Sequence, residues 1–209
     1  MKLFTSLFLF FLIGNVVLLQ AQSPIDKWSK QDLEEANTAK DVSYLSPQEK
    51  QVIFYWNLAR INGKLFSETF LKHYVDSANI KNNSYLISLK KDLGNLSELP
   101  VLNPNKELSN IAQLHAQKMG ESGAMGHGDF TKRFKDIKPK YKSVGECCQY
   151  GFKDPLAIVI DLLIDEGIAD TAHRKIMLKK GKWDVAVSIK AHKKYRVNSV
   201  LDVGEVKGN

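Results

Sequence analysis

Apolar residues along this chain fall into segments of different period, and the periods predict most of the elements. The first is an uncharged run, LFTSLFLFFLIGNVVLL, preceded by Met1-Lys2 and followed by QAQS. It reads as an export signal over residues 1–21, cleaved after Ala21; an uncleaved membrane anchor is the rival reading. Residues 22–45 are polar with scattered apolar positions and read as a lead-in. In SPQEKQVIFYWNLARIN, Val52, Ile53, Trp56 and Ala59 recur on one helical face. Ser46 and Glu49 form a capping box, with Pro47 at the first helical position. Phe66–Asp76 continues as a second helix, with Phe66, Phe70, Leu71 and Tyr74 inward and His73 at the surface. Asn82–Leu96 predicts a short third helix.

In LNPNKELSNIAQLHAQKMGESG, Asn103 is expected to cap, Pro104 to open and Gly120 to close a longer helix. Leu108, Ile111, Ala112, His115, Ala116 and Met119 form its apolar stripe, which makes His115 a packed core histidine. YKSVGECC has short β character. Asp154–Gly167 predicts a helix with Pro155 in its first turn. WDVAVSIK and YRVNSVLDV alternate, are rich in β-branched residues and flank AHKK, which predicts an antiparallel hairpin. Helices around a few strands, with no repeat or low-complexity tract, indicate an α+β class with one domain over 46–209.

Charge and sulfur narrow the setting. The chain of 209 residues has a net charge of +7, with basic residues concentrated in TKRFKDIKPKYK, HRKIMLKKGKW and KAHKKYR. These segments are either a solvated basic surface or an attraction to an anionic envelope, membrane surface or polysaccharide. No nucleic-acid-binding module is recognisable, and none is expected on an exported chain. The two cysteines, Cys147 and Cys148, are adjacent. Their Cα atoms lie about 3.8 Å apart across a trans peptide, short of the roughly 4.4–6.8 Å of an unstrained disulfide. Free thiols are expected, with a two-thiol metal site or a bridge between chains as alternatives.

The motifs H-E-x-x-H, G-x-S-x-G and G-x-x-x-x-G-K-[ST] are absent. A dispersed set remains: His127 in a glycine-flanked loop, Glu146 after Gly145, and His173 in TAHRKIM, preceded by Asp161, Asp165 and Glu166. Two imidazoles and one or two carboxylates suit a divalent metal, or share protons without one. Arg174 is expected in a structural salt bridge. DEGIAD lacks the EF-hand pattern and is only a remote calcium candidate.

The ordered series NIAQLHAQKM, GHGDF, RF, VGECCQYG, LLIDEGIADTAHRKIML and WDVAVSI resembles the CAP superfamily: cysteine-rich secretory proteins, antigen 5 and plant pathogenesis-related 1 proteins, also called SCP-like extracellular proteins. The similarity is greatest to bacterial exported members and spans roughly Ser46 to Val203. It implies a three-layer α-β-α sandwich with a small antiparallel sheet between helices. It also implies a cleft of two histidines and two acids, which fall on His127, Glu146, His173 and either Asp165 or Glu166, with Glu166 favoured. Cys147 stands where many members have asparagine, and the disulfides of eukaryotic members cannot form here. The resemblance implies a secreted, periplasmic or extracellular module binding a divalent cation (Zn or Mg, with His127 and His173 as ligands), a small ligand or a lipid. The alternative is a metal-dependent hydrolase with Glu146 as general base.

Overall fold

The computed structural model describes residues 23–208; the expected export signal lies outside them. The lead-in is ordered. A 3₁₀ turn at Pro24–Lys27 and helix α1 (Lys30–Ala36) pack on the body of the protein. Trp28 and Ala36 are buried there, and the Trp28 indole donates to Thr69 Oγ1 at 3.2 Å. Its few apolar residues are its anchors, which a reading of its overall polarity misses.

Helix α2 (Pro47–Ile61) starts at the Ser46–Glu49 capping box. Next come α3 (Gly63–Phe66), a π turn at Ser67–Leu71 and α4 (Lys72–Ser77), so the expected helix over 66–76 contains a wider turn. Helix α5 is Ser84–Gly94. Strand β1 (Leu102–Pro104) then pairs parallel with β3 (Trp183–His192). Helix α6 (Lys106–Ser122) therefore begins later than expected, capped by Asn105, whose side chain accepts from Glu107 N and Leu108 N. Asn103 and Pro104 belong to the strand. Gly120 does not close α6, which ends at Gly123 in the left-handed region (φ 75°). A Cβ on Gly120 would lie 2.0 Å from Ala191 O, so the missing side chain sets how closely α6 approaches β3.

Helix α7 (Phe130–Arg133) precedes β2 (Tyr141–Tyr150). Helix α8 (Pro155–Ile164), capped by Asp154, leads to α9 (Ala172–Met177). Strands β3 and β4 (Arg196–Val206) form the expected hairpin. The sheet order is β1-β3-β4-β2. The sheet is mixed rather than wholly antiparallel, because a three-residue strand such as β1 carries no periodicity of its own.

Strand alternation divides the core into two faces. Val185, Val187, Leu201, Val203 and Cys147 join the larger cluster with α2 and α8. Ala186 and Val200 pack with Leu108, Ala112 and Ala116 of α6, and with Phe134 and Ile137. This is a sheet between helical layers. The edge strand β2 presents Glu146 and Cys148 to the α6 side and Cys147 to the other. No described helix is long and apolar enough to cross a membrane.

Candidate functional site

Glu146 and His127 meet on the α6 side of β2. The His127 loop is bent by Gly126 and Gly128, both at positive φ, and this lets His127 Nδ1 reach Glu146 Oε1 at 2.8 Å. An ionised carboxylate only accepts, so Nδ1 carries the proton and Nε2 keeps its lone pair. Arg133 Nη2 donates to Glu146 Oε1 at 2.9 Å and to His127 O at 2.7 Å, and lies 2.7 Å from Oε2. Its guanidinium rests over the Phe130 and Phe134 rings. The arginine thus fixes both the acid and the loop bearing the histidine. His115, buried at 2 % exposure, donates through Nε2 to Gly126 O at 3.0 Å, and that nitrogen is 3.8 Å from Glu146 Oε1. The core assignment for His115 describes its burial but omits this proximity.

Asp202 on β4 lies directly opposite Glu146 in the strand register. It is fully buried, and neither of its carboxyl oxygens has a donor among the described residues. Burial, then the adjacent Glu146 charge, push its carboxyl well above the usual range. Burial also pushes Glu146 up, but the His127 hydrogen bond and the Arg133 charge together outweigh it and hold that carboxyl below its ordinary value. Two facing carboxyls cannot both ionise cheaply, so Asp202 is the neutral acid and Glu146 the anion. The bond to Glu146 raises the His127 pKa against the opposing effect of burial, whereas burial lowers that of His115.

A second histidine–acid pair approaches from the other helical layer. Helix α8 ends at Asp165 in the left-handed region (φ 57°). This turn buries the Asp165 carboxylate to 3 % exposure. Its Oδ2 accepts from His173 N at 2.9 Å and its Oδ1 from His173 Nδ1 at 2.7 Å. Glu166 is exposed, so the preference for Glu166 as partner of the second histidine is corrected to Asp165. The bend at the helix end aims one carboxylate inward and leaves its neighbour outside. Arg174, also buried, donates to Leu163 O, Ile164 O, Tyr85 O, Ser88 Oγ and Asp92 Oδ2. This confirms a structural role and locks α9 onto α8 and α5.

Cys148 lies near a member of each pair. Its Sγ is 3.8 Å from His127 Nδ1, and it lines a cavity of about 250 Å³ with Met125, Tyr150, Asp161, Asp165 and His173. Asp161 lines the same cavity but is itself exposed. Both cysteines are free thiols; burial, then the Glu146 and Asp202 charges, push the Cys148 thiol up. No group of three or more ligand atoms within 4.8 Å among the described residues contains both His127 and His173; the group that does occur is His115, Glu146 and Cys148. A separate groove of about 740 Å³ is lined by Leu114, Met119 and Met125 together with Lys118, Lys132 and Arg133.

Sequence reasoning missed Asp202, Arg133 and the contact of His115 with Glu146. A charged residue inside the alternating strand VNSVLDV was the available signal for Asp202. RF was matched without a role for its arginine.

No protein-family model and no curated protein matches the chain. Among solved structures, it is similar to an outer surface protein from Borrelia burgdorferi, with 16% identity, a TM-score of 0.44, and coverage of 68% of this chain and 96% of that one. It is also similar to an extracellular protein containing a SCP domain from Bacillus anthracis str. Ames, with 16% identity and a TM-score of 0.42. That likeness covers 77% of this chain and 44% of the other. No residue role is carried over from either.

Proposed function

We propose that this chain is an exported binding module whose cleft, at the open edge of β2, takes a divalent cation or a small polar ligand. One observation carries the reading: each of two imidazoles, His127 and His173, donates its Nδ1 proton to a buried carboxylate. Ligating histidines are commonly held this way, because the carboxylate fixes the tautomer and makes Nε2 the more basic donor. The chemistry of the donor set fits a cation accepting imidazole nitrogen, which favours zinc over magnesium. Such an ion would supply positive charge for an anionic or carbonyl-bearing ligand. Arg133 and Asp165 would keep the two rings oriented.

The export reading rests on the N-terminal apolar run. The basic segments and the groove bearing Lys118 and Lys132 support an anionic partner, including a lipid or an envelope surface. The hydrolase reading stands second. A general base works best with a pKa near the operating pH, and Arg133 with His127 hold Glu146 the other way.

Calorimetric titration of Zn²⁺, Mg²⁺ and Ca²⁺ into the protein tests the reading. Zinc binding is expected, weakened about 10–100-fold or more by His127→Gln and by His173→Gln, since even outer partners of a ligand contribute that much. Zinc binding unchanged in both variants would refute the cleft.

A further inference from the structure

We infer that a second, inner metal site lies behind the cleft, in which His115, Glu146 and Cys148 bind zinc through nitrogen, oxygen and sulfur. It uses neither His173 nor Asp165 and goes beyond the cleft reading. One ring nitrogen of His115, a Glu146 carboxylate oxygen and Cys148 Sγ all lie within 4.8 Å of one another, and His115 Nε2 is 3.8 Å from Glu146 Oε1. With zinc–ligand bonds of roughly 2.0–2.3 Å, a tetrahedral site places its ligand atoms about 3.3–3.8 Å apart. The three therefore stand within about an ångström of ligating distance.

Secondary structure fixes this convergence. Glu146 and Cys148 are two apart on β2 and so share a face, and that face looks onto α6, which supplies His115. The adjacent Cys147 points into the opposite core, with no exposure, so only the second thiol of the pair is available. The hydrogen bonds already present show where protons give way to metal. His115 Nε2 donates to Gly126 O, and Cys148 Sγ lies 3.8 Å from the same carbonyl. On binding, the Cys148 thiol proton is lost to solvent and the His115 proton moves by exchange from Nε2 to Nδ1; no oxidation is involved.

The surroundings suit a ligating carboxylate. Glu146 Oε1 accepts from His127 Nδ1 at 2.8 Å and from Arg133 Nη2 at 2.9 Å, whereas Oε2 is buried without a hydrogen bond among the described residues and keeps its lone pairs for an ion. Asp202 backs the group from β4. Cys148 also lines the cavity with Asp165 and His173, which gives the ion an entry path and leaves its fourth position open, as in zinc sites that bind a further ligand. A donor set of one imidazole, one carboxylate and one thiolate selects zinc, or cobalt as its probe, over magnesium and calcium.

Cobalt(II) titration followed by absorption spectroscopy reads the thiolate directly. The protein is expected to develop a sulfur-to-cobalt charge-transfer band that Zn²⁺ displaces. Cys148→Ser should abolish that band, and His115→Gln should weaken binding at least about tenfold, while Cys147→Ala and His173→Gln retain the band. In the unaltered protein, Zn²⁺ should protect Cys148 from alkylation, a readout that needs no variant to fold. Metal binding without a thiolate band, and lost in His173→Gln, overturns the inner site and leaves the cleft reading intact. No binding of either ion overturns both.

Discussion

Replacing Arg174 with methionine should lower the unfolding free energy by about 2–6 kcal/mol, because two buried carbonyls lose their donor, and should release His173 with it. The methionine keeps an apolar stem but removes every donor. Leu163 O and Ile164 O would then lose the bonds they now accept, and stranded buried acceptors cost about 1–3 kcal/mol each; Tyr85 O keeps its bond from Ser88 Oγ. The ion pair itself contributes little, because Asp92 is half exposed. Lysine should not rescue, since a single ammonium cannot replace a planar fork that reaches two helix ends. Urea unfolding of Arg174→Met and Arg174→Lys measures this. A loss below about 1 kcal/mol, the scale of an ordinary surface change, would mean that α9 is held by other contacts.

Glu146→Ala should cost a comparable 3–5 kcal/mol at neutral pH. It strands Arg133, whose side chain is only 16% exposed, and frees His127. The pH dependence follows from the direction of the shift. Glu146 has a folded pKa below its ordinary 4.5, so its contribution is present above that value and is lost as pH falls through the folded pKa. The gap between variant and unaltered protein should therefore narrow in acid. Asp202 has the opposite sign: its raised folded pKa gives a contribution that is full below its ordinary 3.8 and falls as pH rises through the folded value. Denaturant titrations across pH would contradict this assignment if the Glu146→Ala deficit grew as pH fell.

Local signals located the long elements and failed where long-range contacts decide. The Ser46–Glu49 box marks the start of α2 because capping is a matter of adjacent residues. LNPN offers two asparagines around one proline, and Asn105 becomes the cap because residues 102–104 are drawn into pairing with β3, a contact some eighty residues away in sequence that has no local trace. His127, Glu146 and His173 stand out as a dispersed set of ligand-type residues, and only the ordered resemblance groups them, since their loops supply no periodicity. Asp165 and Glu166 are indistinguishable by spacing, and the left-handed turn at Asp165 chooses between them. Asp202 meets Glu146 only through the β2–β4 register, which alternation within either strand does not specify.

His127 and His173 each stand with Nδ1 tied to a buried acid, which leaves Nε2 of the neutral ring without its proton. Long-range ¹H–¹⁵N correlation NMR of the histidine side chains, recorded above the pH at which the rings lose their charge, tests it most directly. Neutral His127 and His173 are both expected as the Nδ1–H tautomer, while His192, which donates through Nε2 to Ala124 O, is expected as the Nε2–H tautomer in the same spectrum. An Nε2–H tautomer at His127 or His173 would contradict it.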